Sequence, residues 1–517
     1  MRLDAAIANI AWLATSLPEW MRFKRAATRV EATQRSLLSD YLRRNAGTEF
    51  GTAHDFGAIR DYEAYAACVP TRTYDDYEHW IKQIAAGSEN VLTAERVNLL
   101  EPTSGSSGAE KWVPYTRTLQ AEFRRAVATW ITGNFLAAPE LVGGRAYWSL
   151  TPQAQRDRED TTNVPVGFDQ DSAYLGGLAQ RLIDRTLATS PDLKSVRDID
   201  RFWHMTLVQL LTCRDLRLIS VWHPSYALLL LQHMRRNWSE LLDGVQGVDY
   251  SRSRELAELG ADDPTAIWPA LKLISCWGDA NASACLPDIR AEFPGVQLQP
   301  KGLVATEAFG TLPLGDMRPL AIRSHFFEFR DESERIHPAW GLEEGKVYSL
   351  IVTTGGGLYR YEMRDRVELT GYYRDVPSLR FLGKEDNVAD HFGEKLSETF
   401  VTTCMSAVFE RHDIEPQFAM VALDKYSRTP GYALYIESNS LLPETLASEL
   451  DGELKRNPHY ALCTHLGQLR PLQVVVVAER AYEIYSQVLM KRGMRLGDIK
   501  PTTLSRLTDW SQYLGTS

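Results

Sequence analysis

Near the start of the chain, apolar residues recur at helical spacing. Leu3, Ile7, Ile10 and Leu17 fall on one side, which predicts an amphipathic helix packed on a core through that side. Val30, Leu37, Leu38, Tyr41 and Leu42 repeat the period, and Asn45 and Gly47 supply stop signals. The spacing predicts a helix from about Thr116 or Thr118 to Asn134, and helix throughout residues 199–242, where Pro224 suits a helix start. Short, continuous apolar runs at 146–150, 271–277, 296–299 and 346–354 predict buried strands. Strands, glycine turns and helices alternating in this way predict an α/β architecture, whose ligands sit at the carboxyl ends of the strands.

Beyond residue 384 the pattern changes to a smaller α+β arrangement. Helices are predicted at 394–412, 443–455 and 481–492, with strands at 418–423, 432–437 and 472–477.

Length and charge narrow the classes. A chain of 517 residues exceeds one ordinary core, so a large domain plus a smaller one is expected. The net charge of −10 is spread in short mixed-sign groups, which supplies neither a nucleic-acid stripe nor a membrane-binding face. Cys68, Cys213, Cys276, Cys285, Cys404 and Cys463 lie far apart with no C-x-x-C spacing, which argues against zinc and against a disulfide framework and fits a reduced cytosol. The apolar run at 227–231 is too short to span a bilayer, and Asp4 and Asn9 interrupt the first apolar stretch, unlike a secretory signal. Neither G-x-S-x-G nor H-E-x-x-H occurs.

The candidate chemistry lies in residues 101–115, EPTSGSSGAEKWVPY. Thr103, Ser104, Gly105, Ser106, Ser107 and Gly108 put hydroxyls and backbone amides where an oxyanion can approach, and Lys111 adds a mobile positive charge. Glu110 and Trp112 flank that lysine, so the run is not the common P-loop. It resembles T-S-G-[ST]-[ST]-G-x-x-K, the signature loop of the adenylate-forming superfamily. The phrase V-P-x-x-x-Y-x-D-Y at 69–77 and the I-x-x-G that follows resemble more closely the auxin-responsive acyl acid amido synthetases, the Gretchen Hagen family, and most of all its bacterial members. The similarity is traceable from about residue 28 to about residue 510.

That resemblance implies a large adenylate-forming domain of mixed sheets and helices, residues 1–383, and a small mobile α+β lid, residues 384–517. It implies ATP and Mg²⁺ as cofactors, with Thr306 on the α-phosphate, Glu307 holding the metal and Asp365 on the ribose hydroxyls. Arg364 stands where the family has glycine, and Lys384, a candidate nucleotide contact, replaces an arginine at the hinge. Lys395 and Lys500 are the lid's candidate catalytic cations, beside Lys111. Trp222, Tyr226 and Phe309 are candidates for an aromatic acyl wall or equally for ordinary core, and His223 reads as structural. The implied reaction activates a small carboxylic acid as acyl-AMP, releases pyrophosphate and passes the acyl group to the amine of an amino acid. Delivery to CoA or to the thiol of a separate carrier protein is the alternative, and a nucleotide-binding regulator with lapsed chemistry is a third. No nucleic acid and no membrane is expected as partner.

Overall fold

The structure is a computed structural model that describes every residue except 1–2, 104–110, 150–161, 168–182, 197, 386–387, 390, 393, 426–428, 466, 495, 497–498 and 516–517. The chain divides into two compact units, Met1–Phe381 and Leu382–Ser517.

The first unit opens with α1 (Leu3–Ala26), α2 (Val30–Asn45), α3 (Glu49–Ala53), α4 (Tyr62–Cys68) and α5 (Tyr74–Ala85). A hairpin of β1 (Leu99–Thr103) and β2 (Lys111–Tyr115) leads into the long helix α6 (Arg117–Ala137). The face of α1 that meets the protein is not the expected one. Ile7, Ile10 and Leu17 point outward, while Ala5, Ala8, Trp12, Ser16, Glu19 and Phe23 are buried; the side chain of Leu3 lies outside the described residues. Small alanines let the helix lie close against α6, and the polar groups carried inward find partners. Asn9 donates to the carbonyls of Val142 and Gly144, and Glu19 accepts from Arg323 at 2.6 Å.

Four parallel strands follow, β3 (Arg145–Trp148), β4 (Leu216–Ser220), β5 (Leu273–Trp277) and β6 (Gln297–Lys301), in spatial order β3-β4-β5-β6. The interval expected to be helical throughout is therefore broken. Helix Ile199–Thr212 ends at Cys213, β4 intervenes, and helices Pro224–Arg236 and Trp238–Gln246 come after it. A second sheet has the order β11-β10-β9-β7-β8, from β7 (Phe326–Arg330), β8 (Ile336–Pro338), β9 (Val347–Thr353), β10 (Tyr361–Tyr373) and β11 (Val376–Lys384).

The second unit begins with a short pair, β12 (Val388–Ala389) and β13 (Leu396–Ser397). Its sheet runs β16-β15-β14-β17, from β14 (Pro416–Asp424), β15 (Gly431–Ser438), β16 (Arg470–Val476) and β17 (Leu504–Ser505). Strand side chains alternate between faces, so both faces can be covered. Val421 and Leu423 pack among residues of helices Glu398–Arg411, Leu446–Leu454 and Pro458–His465, whereas Met420 and Ala422 pack with helix Ala481–Lys491. The helix predicted from residue 394 starts instead at Glu398, capped by Ser397.

Candidate active site

The β1–β2 hairpin pairs Thr103 with Lys111. Ser104, Gly105, Ser106, Ser107 and Gly108 lie outside the described residues. What surrounds the base of the hairpin is a set of tyrosines that tie distant segments to it. The Tyr74 hydroxyl accepts from the Trp112 amide at 2.8 Å, and Lys111 Nζ lies 5.4 Å from the Tyr74 ring centre. One turn on, the Tyr77 hydroxyl donates to the Tyr359 carbonyl at 2.6 Å and accepts from the Tyr359 amide at 2.8 Å. Tyr115 donates to the carbonyl of Thr306 at 2.6 Å. Thr116, the N-cap of α6, also donates to Gly355. Glycine is needed in the turn after β9: a Cβ on Gly356 would meet the Pro114 carbonyl at 2.6 Å, and Gly357 has φ +94°.

Two carboxylates act electrostatically on one buried phenol. Burial pushes the Tyr361 hydroxyl far above its ordinary pKa, and the next causes are the negative charges of Glu307 and Asp365, followed by Tyr74. Tyr115 is raised in the same way by burial, then by Glu101 and Glu307. Glu307 is half-buried in a loop bridged between Val304 and Phe309, and Asp365 is buried in β10. The register of β10 shifts between Glu362 and Arg366, and Arg364 has φ +55°. The backbone thus takes the left-handed conformation a glycine would favour, with an arginine in its place. Arg360 is buried and fixed by Glu328 and the carbonyls of Ala66 and Val69.

At the carboxyl ends of the parallel strands the surface is aromatic. Trp222 and Trp277 lie 5.5 Å apart, and the buried Lys301 holds its ammonium 4.7 Å from the Trp222 ring centre while donating to the Val221 carbonyl at 2.7 Å. Gln299 accepts from Trp130 at 3.0 Å and donates to Asn134 at 2.7 Å, and Trp130 stacks on Trp148. Trp222 remains half-buried. Tyr226 is a core residue, its hydroxyl 2.9 Å from that of Tyr147. Phe309 is also core, edge-on to Phe123, with its amide held by His325. His223 caps helix Pro224–Arg236. Asp279 accepts from the Phe381 amide and pairs with Arg318 at 3.0 Å; burial raises its carboxyl against the pull of that arginine.

In the second unit, Lys384, Lys395 and Lys500 are exposed. Glu394, buried, accepts from the amides of His391 and Phe392 and from the Tyr432 hydroxyl, which fixes the loop that carries Lys395. Glu398 accepts from the Thr503 amide at 2.9 Å and from the Thr502 hydroxyl, while Tyr485 donates to the Lys500 carbonyl at 2.8 Å. Both lysine-bearing loops therefore meet the amino end of helix Glu398–Arg411.

Among the described residues no cluster of three or more His, Cys, Asp or Glu side chains could hold a metal. A single carboxylate such as Glu307 fits Mg²⁺, which shares its coordination with water and substrate phosphates.

A parallel sheet and a second sheet in one unit, followed by a separate α+β unit, make up an adenylate-forming synthetase fold. The solved structure of "AtGH3.15 acyl acid amido synthetase in complex with 2,4-DB" superposes with a TM-score of 0.82 at 19 % identity, covering 97 % of this chain and 96 % of that one. Residues 20–254, 319–384 and 399–509 match the GH3 family N-terminal, central and C-terminal domains, and the chain belongs to that family. Indole-3-acetic acid-amido synthetase GH3.8 of Oryza sativa subsp. indica is 23 % identical, over 92 % of this chain and 88 % of that protein. Indole-3-acetic acid-amido synthetase GH3.4 of Arabidopsis thaliana is 22 % identical, over 92 % and 90 % respectively.

Sequence reasoning missed the tethering work of Tyr74 and Tyr77, although both stand in the quoted phrase. It also missed Trp277, whose signal was its position at the end of a predicted strand.

Proposed function

We propose that this chain uses ATP to adenylate a small carboxylic acid and then transfers the acyl group to the amine of an amino acid, forming an amide and releasing AMP. The observation that supports the reading is that the charges of Glu307 and Asp365 both act on the buried Tyr361 hydroxyl, and that Tyr74, which acts on the same hydroxyl, has its ring centre 5.4 Å from Lys111 Nζ.

In this reading Thr103, Ser104, Gly105, Ser106, Ser107, Gly108 and Lys111 hold the β- and γ-phosphates. Thr306 contacts the α-phosphate, and Asp365 accepts from the ribose hydroxyls as an acceptor-only carboxylate can. Glu307 would hold Mg²⁺, which would supply charge neutralisation at the phosphates. The carboxylate attacks the α-phosphorus in line and pyrophosphate leaves. Alignment and charge stabilisation carry the step, terms worth several kcal/mol. Trp222 and Trp277 face the acyl group. Residues 384–517 act as the lid, Lys384 lies at its hinge, and Lys500 and Lys395 are its cations for successive steps. Six free cysteines with wide spacing suit a reducing, cytoplasmic setting. Among the described residues no helix is long and apolar enough to cross a membrane.

The test is carboxylate-dependent exchange of labelled pyrophosphate into ATP. The wild-type chain supports exchange with at least one member of an acid panel, and Lys111→Ala and Glu307→Ala abolish most of it. Exchange that no acid raises above the variants defeats the reading. Supplying amino acids or CoA and identifying the product separates amide from thioester formation.

A further inference from the structure

The outward face of α1 has a pattern that its own fold does not use. Ile7, Ile10, Leu17 and Met21 are 64 %, 56 %, 38 % and 50 % exposed, and Ala14 between them is exposed as well. On no other helix among the described residues do four large apolar side chains face outward together. The positions 7, 10, 14, 17 and 21 alternate steps of three and four, the a and d spacing of a helix that packs lengthwise on another helix. The opposite face of α1 is already satisfied, with Trp12 edge-on to Phe135 of α6 and Asn9 bonded to Val142 and Gly144.

Charge says which helix fits. Asp4 stands in the first turn of α1, and Lys24 and Arg25 in the last. Laid antiparallel on a copy of itself with Ala14 at the two-fold axis, the stripe sets Ile7 against Met21 and Ile10 against Leu17. The small side chain of Ala14 lets the two backbones approach where they cross. The same register carries Asp4 to Lys24 and Arg25 of the other copy. A parallel pairing brings like charges together at both ends. The stripe is thus its own complement in one orientation, which is the requirement of an isologous interface. An anionic bilayer is a poorer match. The cations of α1 cluster at one end rather than along its flanks, and the chain carries a net charge of −10.

We propose that the outer face of α1 is the seam of an antiparallel homodimer. Pairing removes the four apolar side chains of each copy from water. The helix lies outside the residues assigned to nucleotide and acyl binding, so dimerisation and adenylation are separable properties.

Sedimentation velocity on the full chain provides the test. The wild-type protein sediments as a dimer at micromolar concentration. Ile10→Glu combined with Leu17→Glu places four carboxylates in the seam and weakens the dimer by about 100-fold or more, with thermal unfolding and pyrophosphate exchange unchanged. Asp4→Lys weakens the dimer by roughly tenfold, and adding Lys24→Glu and Arg25→Glu restores it. Ala14→Cys, which keeps the helix intact, cross-links to its own copy under mild oxidation, whereas the wild-type chain with its exposed Cys68 does not. A wild-type chain that stays monomeric at about 100 µM overturns the proposal, as does a dimer indifferent to the double glutamate variant. A monomer that pellets with phosphatidylserine–phosphatidylcholine vesicles through Ile10 and Leu17 overturns it in favour of a membrane surface.

Discussion

Around the β1–β2 hairpin of the large unit, tyrosine hydroxyls fasten backbone to backbone: Tyr74 to Trp112, Tyr77 to Tyr359, Tyr115 to Thr306. At the ends of the parallel strands, tryptophan faces and one buried lysine form the surface, and the polar bonds of Gln299 lie beneath it. The first region fixes where backbone groups and carboxylates stand. The second fixes a shape. Hydrogen-bonded tethers tolerate little change because a lost partner strands a buried polar group, whereas an aromatic wall can be rebuilt from other large side chains.

Substitutions in the two regions should therefore fail in different ways. The largest effect is expected for Asp365→Ala, which removes the proposed ribose acceptor and lowers kcat/KM for ATP by roughly 100-fold while leaving the KM for the acid within about twofold. Isotope exchange at varied ATP and varied acid measures both. Tyr77→Phe deletes two buried hydrogen bonds at once and destabilises the large unit by about 2 kcal/mol, read from urea midpoints. Trp222→Ala raises the KM for the acid by about tenfold and leaves that for ATP unchanged, the reverse of the Asp365 result. The smallest effect is at the bulge. Arg364→Gly relieves a left-handed backbone at the price of chain entropy, so stability shifts by less than about 1 kcal/mol and exchange persists. A loss above about 2 kcal/mol would mean that the arginine side chain, not the backbone, holds the turn.

The acidity of the region follows the same logic. His54 accepts from Arg72 and bonds to the Phe50 carbonyl, and burial lowers its pKa below 6.5. The unfolded chain therefore takes up a proton first as pH falls below 6.5, and the folded chain loses relative stability until its own depressed pKa is passed. In His54→Gln the slope of stability against pH is shallower across that window.

Some of this was legible in the amino-acid order and some was not. The strands near residues 273–277 and 347–353 announce themselves as apolar runs, and the roles proposed for Thr306, Glu307 and Asp365 rest on motifs in fixed order. Helical spacing told which residues of α1 share a face but not which face meets the core. The side carrying Ala5, Ala8 and Trp12 wins because close approach to α6 outweighs the larger side chains of Ile7 and Ile10. β4 was hidden because Cys213, Arg214 and Asp215 break the helix without glycine or proline, and LRLIS has no period that separates strand from buried helix. The tyrosine tethers were invisible in principle, since Tyr77 and Tyr359 lie 282 positions apart.

The most direct measurement is a crystal structure of the wild-type chain grown with a non-hydrolysable acyl-adenylate analogue. The expected result has the ribose hydroxyls within about 3.2 Å of the Asp365 carboxylate, the phosphate-mimicking group beside Thr306 and the acyl group against Trp222. An analogue lodged elsewhere, with Asp365 and Glu307 facing protein alone, contradicts it.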